Sequence, residues 1–83
     1  MRKKTITDTN DNSTLAIIQQ RLRECIRNST LSQKVLAEKI GVSEQTVSKY
    51  MKCNVFPALD TLAKLCAVLD VSSDYILGLN DEY

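Results

Sequence analysis

The fold is decided by residues 33–52, which read QKVLAEKIGVSEQTVSKYMK. In the first half of this stretch, Leu36, Ala37 and Ile40 recur at the three- and four-residue spacing of one helical face. Gly41 follows directly, where a helix commonly ends in a residue of positive φ. This half therefore predicts a short helix that ends at Gly41.

The second half predicts another short helix after a very short turn. Ser43 offers a side-chain acceptor to the free amides that open a helix, and Val47 and Tyr50 follow on one inner side. Two short helices joined by a glycine-containing turn form a helix-turn-helix arrangement. Ala37 supports this interpretation, because its small side chain lets the second helix cross the first closely.

Outside this stretch the sequence predicts three more helices and no strand. Apolar residues at helical spacing indicate a first helix over about residues 14–27 and a fourth that follows Pro57 and runs to Leu69. Ser72 suits the cap of a short last helix. No segment alternates apolar and polar residues over the length of a strand. The predicted fold class is all-α, with five helices.

The first twelve residues differ from the rest of the chain. Residues 1–12 combine three basic residues with a polar run, a composition that does not repay the entropy lost on ordering. We therefore expect a flexible arm over residues 1–12. Residues 13–83 are expected to form one small domain, since 83 residues leave room for only one.

The composition argues against an enzyme. The chain contains no histidine, which removes the most common general base and metal ligand. Cys25, Cys53 and Cys66 are too widely spaced for a zinc motif, and two glycines do not build a phosphate-binding loop. We expect no catalytic residue, metal or cofactor. With neither a secretory signal nor an apolar run long enough to span a membrane, the predicted location is the cytoplasm.

The charges are segregated along the chain. Residues 1–57 carry ten basic and five acidic residues, whereas residues 58–83 carry one basic and five acidic residues. The overall net charge of +1 predicts no particular partner, but the basic part suggests a face for an anionic one. Chance clustering of solvated charges explains the same pattern equally well.

Residues 15–79 resemble the Cro–repressor (XRE) helix-turn-helix family. Its members are bacterial and phage DNA-binding domains of five helices, lambda and 434 repressor among them. The resemblance covers most of the chain and is carried by residues 21–24, 31–33, 36–43, 46–50, 57, 62–65 and 69–78.

This resemblance implies sequence-specific binding of double-stranded DNA, with the third helix in the major groove. Carried over by position, the residues that face base edges or the adjoining backbone are Ser43, Glu44, Gln45, Thr46 and Lys49. Gln45 suits the N6 and N7 edge of adenine, Glu44 accepts from cytosine N4, and Lys49 reaches guanine or a phosphate. The implied phosphate contacts are Gln33, at the amino end of the second helix, Lys52 and Asn54.

Each of these residues also has an explanation without DNA, because polar residues on a helix usually form a solvated face. The surrounding motif favours base reading for Gln45, whereas Thr46 and Lys49 stay open between the two explanations. Glu44 is the least favoured, because a carboxylate near phosphates costs affinity unless a cytosine compensates it. The basic run of residues 2–4, Arg-Lys-Lys, is either an arm that reaches a groove or a solvated tail.

Five residues depart from the family pattern. Ile26 and Met51 replace an arginine and a glutamate that pair inside many members, and this matched apolar change supports the alignment. Cys53 stands where glycine is usual, so we expect strain at the exit from the third helix. Val55 and Phe56 occupy a loop that is often basic, which removes phosphate contacts and exposes two apolar side chains.

We interpret the chain as a DNA-binding transcriptional regulator of the phage-repressor or Cro type. One recognition helix reads only a few base pairs, so we expect a homodimer on a two-fold symmetric operator. Because the chain ends just after the last helix, no small-molecule effector is expected. The alternative is an antitoxin or anti-repressor partner on the same fold, which would use Val55 and Phe56 together with Ile76, Leu77, Leu79 and Tyr83.

Overall fold

The computed structural model describes residues 13–82, and this part of the chain folds into five α-helices without a strand. In chain order they are α1 (Ser13–Asn28), α2 (Gln33–Ile40), α3 (Glu44–Lys52), α4 (Leu59–Leu69) and α5 (Ser73–Ile76). The predicted all-α fold is confirmed, with helix bounds close to the expected ones. The predicted arm, residues 1–12, lies outside the described residues, as does Tyr83.

Serine side chains begin three of the helices. The Ser32 hydroxyl accepts a hydrogen bond from the Val35 amide at the start of α2, and Ser72 accepts one from the Asp74 amide at the start of α5. The Ser43 hydroxyl caps α3 in the same way. Such a cap stabilises its helix by about 1 kcal/mol. The predicted caps at Ser43 and Ser72 are therefore confirmed.

The turn between α2 and α3 depends on Gly41. This residue adopts φ 77° and ψ 31°, in the left-handed region where a side chain is strained. Its amide and the amide of Val42 both donate to the Ala37 carbonyl, at 2.9 and 3.0 Å, and so close the end of α2. The chain then enters α3 two residues later, which fixes the angle between the two helices.

One apolar core joins all five helices. Leu36 and Ile40 of α2, Val47 of α3 and Ile76 of α5 are each no more than 1% exposed. The remaining buried core residues are Leu22, Cys25, Ile26, Ala37, Tyr50, Leu62, Leu65 and Tyr75. Because α2 packs against both α3 and α4, the core holds the helix-turn-helix as a rigid unit.

Cys25 is buried in this core, and Cys66 packs against it. Burial raises the pKa of the Cys25 thiol, and the nearby Glu24 carboxylate raises it further. Burial also raises the pKa of the Cys66 thiol. Both side chains therefore stay neutral around pH 7 and act as small apolar groups.

The strain predicted at Cys53 is absent, and that prediction was wrong. Cys53 adopts φ −122° and ψ 171°, which is ordinary extended backbone that any residue adopts. Its amide still donates to the Lys49 carbonyl at 2.8 Å. The chain leaves α3 without a left-handed residue, so a glycine is not required here.

Candidate nucleic-acid interface

The first turn of α3 is built by Ser43 and Thr46. The Ser43 Oγ accepts a hydrogen bond from the Thr46 amide at 3.1 Å, and the two hydroxyl oxygens lie 2.9 Å apart in a second hydrogen bond. Both residue types are thus explained by helix capping alone. Ser43 is exposed and Thr46 half-buried, which leaves the Ser43 hydroxyl at the surface beside the start of α3.

The outer face of α3 carries polar side chains, whereas its inner face is part of the core. Val47 is 0% and Tyr50 is 3% exposed. Glu44, Gln45 and Lys49 are exposed, and within residues 13–82 their side chains make no hydrogen bond or ion pair. Gln45 and Lys49 lie one helical turn apart and therefore share a face. The predicted base-reading residues Glu44, Gln45 and Lys49 are thus brought together on the solvent side of α3.

Ser48 belongs to the same outer face and was not singled out from the sequence. It is half-buried and lies one turn after Glu44 and one turn before Lys52. The helical period of the sequence alone is enough to place Ser48 on this face. Its short hydroxyl side chain fits a surface that another molecule approaches closely.

The predicted phosphate contacts sit at helix ends. Gln33 is the first residue of α2, directly after the Ser32 cap, and Lys52 is the last residue of α3. Free amides at the start of α2 favour an anion beside Gln33. Lys52 is exposed, and its ammonium extends the positive charge of Lys49 along α3.

Asn54, the third predicted phosphate contact, is held by a residue of the first helix. Its Oδ1 accepts a hydrogen bond from the Gln19 Nε2 at 2.8 Å. The same Nε2 lies 3.4 Å from the Cys53 carbonyl oxygen, which it also faces as a donor. Sequence reasoning missed Gln19, because the partners lie far apart along the chain.

Arg23 is a second residue of α1 that contacts the end of α3. Its Nε donates to the Tyr50 carbonyl at 3.0 Å, and its Nη2 donates to the Cys53 carbonyl at 3.1 Å. A guanidinium beside the last carbonyls of a helix satisfies them and also opposes the negative end of the helix dipole. Arg23 therefore fixes the end of α3 against α1.

Arg21 joins α1 to the carboxyl-terminal end of the domain. Its guanidinium donates to the carbonyls of Tyr75 and Asn80 at 2.9 and 2.8 Å, and it pairs with Asp81 at 2.8 Å. It also lies 4.4 Å from the centre of the Tyr75 ring. The Tyr75 hydroxyl in turn donates to Glu24 at 2.7 Å.

These arginines change how the charge segregation is interpreted. Arg21 and Arg23 both count toward the basic amino-terminal part, yet both bind groups within the domain. The exposed positive charges of the helix-turn-helix itself are those of Lys34 and Lys39 on α2 and of Lys49 and Lys52 on α3. Among the described residues, no group of cysteine and carboxylate side chains is arranged to hold a metal ion.

The family follows from a match to the motif itself. A family model described as helix-turn-helix matches residues 22–76, which is more than half of the chain. The chain belongs to the XRE-type helix-turn-helix family. This confirms the resemblance predicted from residues 15–79. The matched region of this XRE-type domain contains the whole of α2, α3, α4 and α5.

Relatives of this XRE-type domain occur in Bacillus subtilis strain 168, and three of them show the extent of the similarity. The uncharacterized HTH-type transcriptional regulator YobD is 43% identical over 63 residues, 76% of this chain and 56% of the relative. The HTH-type transcriptional regulator ImmR is 36% identical over 62 residues, 75% of this chain and 49% of the relative. The SPbeta prophage-derived uncharacterized HTH-type transcriptional regulator YonR is 36% identical over 58 residues, 70% of this chain and 54% of the relative.

The chain matches only part of these relatives. It spans about half the length of each curated relative. No solved structure matches it significantly. Among residues 13–82, no helix combines the length and the apolar character that crossing a bilayer requires.

Proposed function

We propose that this chain is a sequence-specific DNA-binding transcriptional regulator whose α3 enters the major groove. The observation that carries the proposal is the outer face of α3, where Gln45 and Lys49 are exposed and make no side-chain hydrogen bond within the described residues. Family membership and the names of the relatives support the same function. Such a protein acts where the chromosome lies, in the bacterial cytoplasm.

We propose a separate DNA contact for each polar residue of this surface. Gln45 reads an adenine edge, because its amide both donates and accepts, and Lys49 contacts guanine or a phosphate. Glu44 contributes where a cytosine amino group meets it. Ser43 and Thr46 complete the contact surface at the first turn, with their hydroxyls also serving the cap. Gln33, Lys52 and Asn54 bind phosphates and set the orientation of the domain.

The proposed DNA-binding domain extends over residues 13–83, with residues 1–12 as an arm. A homodimer is proposed because two copies read two half-sites about one helical turn apart. No small-molecule effector is invoked.

An exposed apolar surface supports the homodimer. Leu15, Phe56, Pro57 and Leu77 line a hollow of about 190 Å³ between α1, the α3–α4 loop and α5. Leu59 stands at its edge and is 83% exposed. A protruding side chain beside a hollow is self-complementary, as a two-fold symmetric contact requires. We therefore place a second copy of the chain on this surface.

The position of the surface also favours a second copy. Leu15 and Phe56 continue from this hollow into a neighbouring one that Gln19 and Asn54 line, beside the proposed phosphate contact. A copy seated here brings two DNA-binding faces next to each other. Val55 is exposed as predicted, whereas Phe56 is half-buried, because its ring forms part of the hollow.

The alternative function, an antitoxin or anti-repressor partner, would use the same surface. Phe56 and Leu77, which the sequence assigned to that role, line the hollow, whereas Ile76 borders it from the core and is 0% exposed, so its predicted surface role was wrong. Leu79 is exposed outside it, and Tyr83 lies outside the described residues. An apolar surface suits a second copy of the chain and a different protein equally well. A measurement of DNA binding therefore distinguishes the two functions.

The experiment is a selection of bound sequences from random double-stranded DNA. We expect enrichment of a two-fold symmetric site, followed by saturable binding to that site in a gel shift. Gln20→Ala provides a matched control for variants of Gln45, since Gln20 is an exposed glutamine on α1. A protein that enriches no sequence at low salt is not a sequence-specific regulator, and the protein-partner function would then replace this one.

A further inference from the structure

Gln19 on α1 contacts the segment that follows α3. Its Nε2 lies 2.8 Å from the Asn54 Oδ1 and 3.4 Å from the Cys53 carbonyl oxygen. Gln19 is half-buried, whereas Asn54 is exposed beside the end of the proposed recognition helix. Gln19 of the first helix thus holds the exposed side-chain amide of Asn54.

The contacts of Gln19 also fix which way round the Asn54 amide lies. The Cys53 carbonyl only accepts hydrogen bonds, so the Gln19 group that faces it is the NH₂ group. That NH₂ group also faces Asn54, so the Asn54 atom next to it is the acceptor, Oδ1. The Asn54 NH₂ group therefore points away from Gln19.

The anchor of this arrangement is itself rigid. The Cys53 carbonyl that Gln19 faces also accepts a hydrogen bond from the Arg23 Nη2 at 3.1 Å. Gln19 and Arg23 lie four residues apart on α1 and therefore on one face. Two side chains of the first helix thus hold the same carbonyl at the exit of α3.

We infer that Gln19 is a positioning residue for DNA binding, which turns the Asn54 NH₂ group outward as a phosphate donor. The inference rests on the proposed function. Phosphate oxygens only accept hydrogen bonds, so an Asn54 amide presented the other way round would set its oxygen against them. The bond from Gln19 engages Oδ1, and within the described residues no hydrogen bond engages Nδ2 of Asn54, the group that would meet the phosphate.

Two substitutions at Gln19 distinguish an effect on the orientation of the Asn54 amide from the simple loss of a contact. Gln19→Ala removes the donor and frees the Asn54 amide to rotate. Gln19→Glu places a carboxylate there, which only accepts and so draws the Asn54 NH₂ group inward. Gln20→Glu is the matched control, because it adds the same charge at the next, exposed position.

The test measures operator affinity and its salt dependence for the full chain, with thermal unfolding to verify that each variant is folded. We expect Gln19→Ala and Asn54→Ala to weaken binding by a similar factor, about three- to tenfold. The loss should be equal for operator and random DNA. Because a neutral donor releases no counterion, the slope of log affinity against log salt should not change for either variant. Lys52→Ala should reduce that slope by about 0.9.

The double variant decides the mechanism. If Gln19 acts by orienting Asn54, then Gln19→Ala combined with Asn54→Ala binds no more weakly than Asn54→Ala alone. Gln19→Glu should weaken binding more than Gln20→Glu. Additive losses, or equal losses for the two glutamates, would overturn the inference. So would relaxed base preference in Gln19→Ala, because that result means a general loosening of α3.

The two proposals fail in different ways. If the wild-type protein enriches no DNA sequence, the proposed function itself fails. If the wild-type protein binds its operator but Asn54→Ala binds equally well, DNA binding stands and the orienting role of Gln19 is wrong.

Discussion

Arg23 donates a hydrogen bond from Nε to the Tyr50 carbonyl oxygen at 3.0 Å, and this bond joins the first helix to the last turn of α3. The Tyr50 side chain is buried while its carbonyl lies at the free end of the helix. Because the last carbonyls of a helix have no donor within it, the Arg23 guanidinium from α1 supplies one. Its positive charge also interacts favourably with the negative end of the helix dipole. The proposed recognition helix is thus capped by serine at its start and by arginine at its end.

Removal of this cap should destabilise the domain. Arg23→Ala deletes the bonds to Tyr50 and Cys53, and we expect the free energy of unfolding to fall by about 1–2 kcal/mol. Urea unfolding followed by circular dichroism measures the change. Arg27→Ala is the matched control, since Arg27 is an exposed arginine of the same helix and should cost less. Equal losses of stability for both variants would show that the hydrogen bonds from Arg23 to the α3 carbonyls do not stabilise the domain.

Gln45→Ala should alter DNA recognition without altering stability. Because the Gln45 side chain is exposed, the melting temperature should stay nearly unchanged. Operator affinity should fall by about 1–3 kcal/mol per half-site, with relaxed preference at one base position, while binding to random DNA at low salt is kept.

The matched comparison for Gln45 is Gln33. Gln33→Ala should weaken binding to all sequences by a similar factor, because a phosphate contact carries no sequence information. Sequence selection with both variants measures the difference. Unchanged base preference in Gln45→Ala would mean that another residue reads the DNA.

Binding should weaken steeply as salt rises. Each phosphate neutralised adds about −0.9 to the slope of log affinity against log salt. We expect a shallower slope than for members of the family with a basic α3–α4 loop, because Val55 and Phe56 occupy that loop here. A titration of the gel shift between low and physiological salt gives the slope. Affinity that is independent of salt would contradict phosphate binding.

Ile26 and Met51 should behave as a matched pair. Ile26 is 5% exposed and Met51 packs against the same core, though their direct contact stays a prediction. Ile26→Arg buries an unpaired charge and should cost about 3 kcal/mol. Met51→Glu should cost less, since Met51 is only half-buried.

The two charged variants together should recover much of the loss. The double variant restores the arginine–glutamate pair that many family members carry. A double-mutant cycle measured by chemical unfolding gives the coupling energy between the two positions. Costs that simply add would mean that the two side chains do not touch.

Leu59→Lys should disrupt the proposed dimer. Leu59 is the most exposed large apolar residue of the described chain and stands beside the hollow. We expect self-association to weaken at least about tenfold, as for a central contact of an interface. Sedimentation velocity over a range of concentrations measures this change. Leu79→Lys is the control, since Leu79 is exposed but does not line the hollow.

A dimer that Leu79→Lys weakens as much as Leu59→Lys does would place the interface elsewhere. If the wild-type protein is monomeric in solution and binds DNA as a monomer, the second copy does not occupy this surface.

Short-range interactions along the chain specify the helices and the turn between them. Ser43, Gly41 and the apolar residues of α2 and α3 act on neighbours within one helical turn, so their effects appear as short spacings along the chain. The exposed side of α3 followed from the same spacing, because a helix with Val47 and Tyr50 inside must present Gln45 outside. The motif therefore predicted both the fold and the proposed reading face.

The contacts that hold this face in place join residues that are distant in the sequence. Arg23 and Tyr50 lie 27 residues apart in the chain, and Gln19 and Asn54 lie 35 apart. Arg21 and Asp81 lie 60 apart. Such partners meet because the core packs α1 against α3 and α5, and no local spacing encodes that meeting. The backbone conformation of Cys53 depends on such packing as well as on its residue type. The strain predicted at Cys53 from its residue type alone was therefore wrong.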